Sequence, residues 1–453
     1  MTAVIILTVI LEGAVRKWIL PGQQIAVYFV KDALIIGLFL SQWFGRERKY
    51  VHFVLATIQE FAWARVFGLY ALVVLIEIFN PALPSIAVGL FGAKAHLLYF
   101  LAALCFSAAY LAKPARMMRD IRLLVVLALL VDVLCAVQFS LPAGHFLNTY
   151  LGATSEDEIV ELAFGRVRVT GTFSYITGMT IFGTFSGLLA LGFTLASKVT
   201  RKWKMLYYAC AAGNFVAVVM SGSRYGVLAY LVGAVMVILM CVSKQRKRVS
   251  VTLSAVLLLI FSSIVLSFFS YATEAFLDRV QTASVSDDAQ SRVTSWFFNF
   301  IYYVGFGGTS GYGTGATHPA VAALVPGEIP YSWLYPVNWL HFEDEFSRIA
   351  IELGWVGLLL YFSFRVLLGM SMFRTNRDST SELTAILGSV CCSVYAVSFG
   401  SSFIFDVTAN FFVWYFVGLS LSAVMINRSY SARSRMAAAR PSSVTQLGAA
   451  IRR

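Results

Sequence analysis

The chain has 453 residues and a formal charge of +12, with 59% hydrophobic residues against 13% charged. A soluble globule carries about 25% charged residues, so this composition and a mean hydropathy of +0.76 exclude that class. Nucleic acid is not the reason for the basic excess. Twenty-four of the 35 Lys and Arg lie in six connectors or tails (46–49, 113–122, 198–204, 244–248, 365–377 and 428–453), while alternate connectors carry few. That is the asymmetry by which positive residues set membrane topology.

Apolar runs of about 17–25 residues match the ~30 Å hydrocarbon core when helical. They predict about twelve spans, at 2–20, 25–43, 63–79, 95–112, 121–139, 175–196, 205–220, 225–242, 249–270, 345–368, 382–399 and 410–426. The expected fold is an all-α integral membrane protein, a single polytopic domain over 1–426. Its large loops, at about 140–174 and 271–344, lie in the periplasm, the second partly helical, and a basic, disordered cytoplasmic tail covers 427–453. An even number of spans puts both ends in the cytoplasm. No basic region precedes the apolar start and no small-residue cleavage site follows it, so the first helix is expected to stay. All six cysteines fall in apolar segments, which argues for packed helix residues and against disulfides or a thiolate metal site.

Taken in order, the first span is interrupted by Glu12, Arg16 and Lys17 before Pro21. Charges in a membrane segment are costly and face protein, water or the interface, so these are either anchors at the headgroup level or functional groups. Lys31 and Asp32 point to different faces of the second helix, and Glu60, Arg65 and Glu77 punctuate the third; neutralising pairs inside the bundle explain them best. Lys94 and His96 open the fourth span, and Asp132 within the fifth calls for a partner. The connector 140–174 holds an acidic run, Glu156-Asp-Glu158, read as a solvated loop tip. Arg166 and Arg168 alternate with valines beside the next helix, so both can point to one side. Between two basic connectors, 205–242 leaves room for two short spans joined by Ser221-Gly-Ser-Arg-Tyr-Gly226, whose only charge is Arg224. A lone external arginine either snorkels to headgroups or grips an anion with its planar fork.

The stretch 271–344 is too long for a connector, since loops beyond about 12–15 residues usually carry function or are disordered. Its Trp and Tyr between Trp296 and Tyr335 argue against disorder. It holds Arg279, Arg292, the run Gly305-Phe-Gly-Gly-Thr-Ser-Gly-Tyr-Gly-Thr-Gly315 and the cluster His341-Phe-Glu-Asp-Glu-Phe-Ser-Arg348. Gly311–Gly315 joins no strand to a helix, so it reads as a tight turn and not a phosphate cradle. Glu345, Arg348 and Glu352 share one helical face, where Arg348 can pair with both glutamates. No internal repeat, Walker motif, His-x-x-Glu-type metal cluster or Gly-x-Ser-x-Gly elbow is present.

The turn Ser221–Gly226, then Arg279 and Arg292, then Gly311–Gly315, then a polar cluster leading into Glu352-Leu-Gly354 together resemble the O-antigen ligase and polymerase family of bacterial inner-membrane glycosyltransferases. The likeness runs over about residues 165 to 365. The opening Glu12-Gly-Ala-Val-Arg-Lys-Trp18, with Pro21 and Lys31-Asp32, resembles a subset of that family. What the resemblance implies is a GT-C-like bundle of about twelve helices with its active site at the periplasmic face, a donor glycan on undecaprenyl diphosphate, inversion at the anomeric carbon, and no metal or other cofactor. It implies that Arg224 and Arg292 bind the diphosphate, with Arg168, Arg348 and Arg279 beside them and Arg16 and Lys17 as additional external contacts. An acceptor saccharide or glycolipid is the second substrate, and polysaccharide-export or chain-length proteins are further partners. Ligases of the family carry His-Asn nine residues before the glutamate of Glu-x-Gly; here Glu343 and Asp344 stand there and His341 comes two residues early. That departure favours a polymerase of exopolysaccharide or O-antigen repeats over a ligase acting on lipid A–core.

The chemistry agrees. A sugar on diphosphate has a good leaving group, so the enzyme needs fixed positive charge where negative charge grows and a base near the acceptor hydroxyl. Glu343 is the expected base, with His341, Asp344 and Glu345 as the other candidates. The rival class is a transporter of the lipid-linked saccharide. Transporters commonly show internal repeats and interrupted helices at the midplane, whereas here the informative residues gather in unequal external loops.

Overall fold

The computed structural model describes residues 1–151, 161–163, 166–197, 199–245, 289–318, 321–325, 344–379, 381–399 and 403–439, with three isolated positions between 246 and 288. Helices dominate: α1 Thr2–Ala14, α2 Gln24–Phe44, α3 Arg48–Gln59, α4 Ala62–Ile76, α5 Ile86–Ala112, α6 Pro114–Ser140, α7 Ile176–Thr194, α8 Arg201–Met220, α9 Arg224–Gln245, α10 Ala289–Gly307, α11 Glu345–Arg377, α12 Glu382–Ser398 and α13 Val407–Ala439. Two short antiparallel strands, Glu161–Ala163 and Arg166–Val167, lie in the loop before α7.

Among the described residues, eight helices are long and apolar enough to cross a membrane: Pro21–Phe44, Ala62–Phe79, Ile86–Ala112, Pro114–Ser140, Ile176–Thr194, Arg224–Cys241, Glu345–Arg377 and Val407–Arg428. The shorter α12 is apolar too. Helices also occupy the expected first and seventh spans (α1 and α8), but neither is among those eight. The expected span at 249–270 lies outside the described residues. One element was not anticipated: α3 fills what read as a connector, its Val51, Val54 and Ile58 buried and its Arg48 and Lys49 exposed.

Local chemistry sets the ends of these helices. Ser85 starts α5 by accepting from the Ala87 amide (3.2 Å), nine residues before the expected start, so Lys94 and His96 lie inside the helix. Pro114 fits the first turn of α6, where its missing N–H has no intrahelical partner. Ser381 and Thr384 form a reciprocal cap on α12.

At the centre of the bundle stand α7 and α13, buried on nearly every side. In α7 the small residues permit this: a Cβ on Gly187 would lie 2.5 Å from the Tyr230 ring, and one on Gly192 2.3 Å from Val390. All six cysteines are buried within helices.

The expected neutralising pairs form in part: among the described residues Arg65 and Glu77 have no ion-pair partner, Glu77 accepting from Asn80 instead, whereas Lys31, Asp32 and Glu60 are paired. Lys31 reaches Glu12 of α1 (2.7 Å), while its neighbour Asp32 reaches Lys94 of α5 (2.7 Å) and accepts from Tyr99 (3.0 Å). Glu60 meets Arg428 (2.8 Å). Asp132 differs from expectation: neither carboxylate oxygen has a hydrogen-bond partner among the described residues. It lies against Gly213 of α8, where a Cβ would be 2.6 Å from Oδ2.

At one end of the bundle α1, α4, α6, α8, α10 and α12 finish while α2, α5, α7, α9, α11 and α13 begin. The connectors there include the glycine-rich run and the Ser221–Gly226 turn; this is called the loop end below.

Candidate functional site

The glycine-rich run is more than a turn. Gly308, Gly311, Gly313 and Gly315 all have positive φ, a region that L side chains enter only at a cost. Helix α11 breaks at Gly354 (φ 62), and the run fills the break. The Tyr312 amide donates to the Ile351 carbonyl (2.8 Å), Gly313 to that of Glu352 (2.9 Å), and Trp355 donates back to Gly308 (3.0 Å). At Gly311, Gly313 and Gly315 the fit leaves no room for a side chain. A Cβ on Gly311 would lie 2.4 Å from the Glu352 carbonyl oxygen, and one on Gly315 2.5 Å from that of Val88.

The Glu352 side chain ties the same run to α5. Its fully buried carboxylate accepts from His96 Nε2 (3.0 Å), the amides of Gly315 (2.9 Å) and Thr317 (3.1 Å), and Thr317 Oγ1 (2.6 Å). His96 Nδ1 is bonded to the Tyr70 hydroxyl (2.5 Å). Four parts of the chain, α4, α5, the glycine run and α11, therefore converge on one acidic group. Just beyond, half-buried His318 stands edge-on to Phe91 (4.6 Å). Burial pushes its imidazole down to about 4, so it is neutral at physiological pH.

The Ser221–Gly226 turn is equally determined. Gly222 takes a positive φ (66°) at the end of α8. Ser223 caps α9, its Oγ accepting from the Gly226 amide (3.1 Å), and Gly226 packs so closely that a Cβ would lie 2.1 Å from Thr180. Arg224 therefore sits half-buried at the first position of α9. A cation at a helix N-terminus opposes the macrodipole, and an anion drawn there would offset both charges.

The alternation expected in the preceding loop holds: Val167 and Val169 are buried while Arg166 and Arg168 are partly exposed. Arg166 donates to the carbonyls of Phe139 and Ser140 (3.1 Å each) at the end of α6. Arg168 Nε donates to the Ser221 carbonyl (2.8 Å). Each guanidinium thus satisfies orphan carbonyls at a helix C-terminus, and Arg168 is held on the turn that carries Arg224.

Asp344 caps α11, its two oxygens taking the Ser347 amide and hydroxyl (2.7 Å each). Burial raises its carboxyl above the ordinary range against those bonds. Glu345 is buried and engaged by Arg365 (3.2 Å), the Tyr361 hydroxyl and the amides of Phe403 and Ile404. Arg348 lies over the Phe405 ring, 4.9 Å from its centroid. Lys17 donates to Thr170 Oγ1 (2.9 Å) and the Gly171 carbonyl (3.1 Å), and Arg16 to Glu12 (3.3 Å) and Ser174 (3.5 Å). The opening helix is thereby fastened to the loop that carries Arg168. Arg292 lies in α10, its side chain outside the described residues, as are Arg279, His341 and Glu343.

A family model described as O-antigen ligase matches residues 206–362. Over that stretch, about a third of the chain, the sequence is similar to the O-antigen ligase family. No curated protein matches the chain. The matched stretch takes in most of α8, the Arg224 turn, α10, the glycine run and both sides of the break in α11. Arg16, Lys17 and Arg168 precede it. So does His96, the partner of Glu352, so this interaction joins the matched stretch to the N-terminal helices.

The sequence reading missed His96 as the partner of Glu352, 256 positions away, and it missed His318. A weak signal existed for the second: His318 stands three positions after the glycine-rich run Gly305–Gly315.

Proposed function

We propose that this protein is an inverting, metal-independent glycosyltransferase. It moves a glycan from undecaprenyl diphosphate to a saccharide acceptor at the periplasmic face of the inner membrane, polymerising exopolysaccharide or O-antigen repeats. The similarity to the O-antigen ligase family over residues 206–362 supports a glycosyltransferase of this general kind. The observation that carries the reading further is Arg224, held at the start of α9 by a turn with no slack, with Arg168 fixed on the same turn.

In this reading Arg224 and Arg292 receive the diphosphate and Arg168, Arg348 and Arg279 add positive potential around it. The charge they supply is aimed where the leaving group gains charge. Glu343 takes the acceptor proton, with His341 behind it; among the described groups, His318 is a further neutral acceptor at the loop end. Asp344 and Glu345 are weaker candidates, because each already binds donors through both oxygens.

The test is purified protein in lipid nanodiscs with one lipid-linked oligosaccharide. Laddered products support a polymerase. A product that forms only when lipid A–core is added supports the second reading, a ligase, which the description of the family model favours. Arg224→Ala and Arg292→Ala should each lower turnover about 10²–10³-fold while still reaching the membrane. Full activity in either would overturn the site.

A further inference from the structure

A cavity of about 200 Å³ opens at the loop end between α1, α2 and the starts of α7 and α13, lined among others by Glu12, Arg16, Tyr28, Lys31, Ser174 and Asp406. Neither its lining residues nor the helices that border it fall within residues 206–362. Its volume is below the ~300–1,000 Å³ of drug-sized pockets, which suits one ring rather than a chain. We propose that it is a binding subsite for an acidic sugar, the carboxylate received by Arg16 and the start of α7, and the ring laid against Tyr28.

Three observations point to a ligand of that chemistry. Arg16 Nε is buried and has no hydrogen-bond partner among the described residues, although the guanidinium is positioned by Glu12 and Ser174 and stands 5.3 Å from the Tyr28 ring centroid. A buried donor left without an acceptor is destabilising, and a ligand oxygen would supply one. The first turn of α7, which includes Thr177 and Gly178 of the cavity wall, has no side-chain cap; its amides add donors and the positive end of the helix dipole. Finally, the lining mixes signs: Arg16 and Lys31 face Glu12 and Asp406. A phosphate offers acceptors and would be repelled by both carboxylates. A uronic acid offers one carboxylate to the cations and several hydroxyls that donate to the acids.

The cavity is also placed to serve transfer. Ser174 of its wall belongs to the loop whose Arg168 sits on the Arg224 turn, and Phe405 of its wall carries Arg348 on its face. The physiological role rests on the glycosyltransferase reading, but the binding does not, so the two are tested apart. Protein in nanodiscs is titrated with glucuronate, glucose and inorganic phosphate at constant ionic strength, with saturation-transfer NMR as the readout. Glucuronate should bind about 10-fold or more tighter than glucose, the effect of one charge-assisted pair. Arg16→Lys, which keeps the charge beside Glu12 but removes Nε, should lose most of that preference. Ser174→Trp, which fills the space without touching an ion pair, should abolish binding of both sugars. Arg224→Ala should stop polymer formation and leave glucuronate binding unchanged. Equal binding of glucose and glucuronate, displacement by phosphate at lower concentration than glucuronate, or unchanged binding in Ser174→Trp would each overturn the assignment. Whether the sugar belongs to donor or acceptor follows from which substrate's KM rises in Arg16→Lys.

Discussion

Glu352 offers the sharpest test of how the loop end is held. Replacing it with alanine removes the one acceptor shared by His96 Nε2, two backbone amides and the Thr317 hydroxyl. His96 and Thr317 can rotate toward other partners. The amides of Gly315 and Thr317 cannot, because the run is seated against Val88, Gly92 and the Glu352 backbone. Two stranded donors at about 1–3 kcal/mol each give roughly 2–6 kcal/mol. Glu352→Gln keeps the shape but turns an NH2 toward one of the donors and gives up the charge, for about 2–3 kcal/mol. The control is Glu382, which accepts from the Ser197 amide (2.7 Å) and hydroxyl (2.6 Å) in an exposed setting; Glu382→Ala should cost less than about 1 kcal/mol. Thermal unfolding of the three purified variants in one detergent should rank Glu352→Ala lowest, then Glu352→Gln, then Glu382→Ala. If Glu352→Ala melts with the parent protein, the carboxylate does not hold the run and the account of the loop end is wrong.

Gly315→Ala and Gly308→Ala share the strain of a positive φ, about 1–2 kcal/mol, but only the first meets atoms, at 2.5 Å from Val88 O. Gly315→Ala should therefore melt well below Gly308→Ala, by a further ~1–3 kcal/mol; equal melting points would deny the close approach. Because burial holds His318 at about 4 in the fold against 6.5 outside it, the unfolded chain protonates first. Its contribution to stability is complete above about pH 6.5 and is lost as pH falls from there to about 4, at most ~3 kcal/mol before allowance for partial exposure. His318→Gln should flatten that limb of the melting-temperature curve, and an unchanged limb would clear this histidine. Arg365→Met should cost about 3–5 kcal/mol by leaving Glu345 buried without its cation. Adding Glu345→Gln should recover part of that loss, and a double variant less stable than either single one would contradict the pairing.

The helical bundle was legible because the membrane imposes a length and an apolar composition on each span. The Ser221–Gly226 turn was legible too: glycine and serine in that pattern have few other uses, and the structure gives each one a task. The partners of Lys31 and Asp32 were legible only in kind, since adjacent helical residues must face different neighbours but periodicity does not name them. Glu345 and Glu352 show the limit. Their shared face was read correctly, yet their partners Arg365 and His96 depend on how α5, α11 and α12 pack, which no single-chain pattern encodes. The glycine run was taken for a tight turn because its function, filling a broken helix, depends on a segment some forty residues later.

That filled break constrains which parts of the loop end can move. A helix interrupted in an apolar layer has carbonyls that water cannot reach, and here a separate segment supplies their hydrogen bonds. If the segment withdrew, those buried groups would lose their partners, so it and α11 must move together. Any gate that admits substrate must be made by other parts of the loop end, with this joint as the fixed post against which they swing.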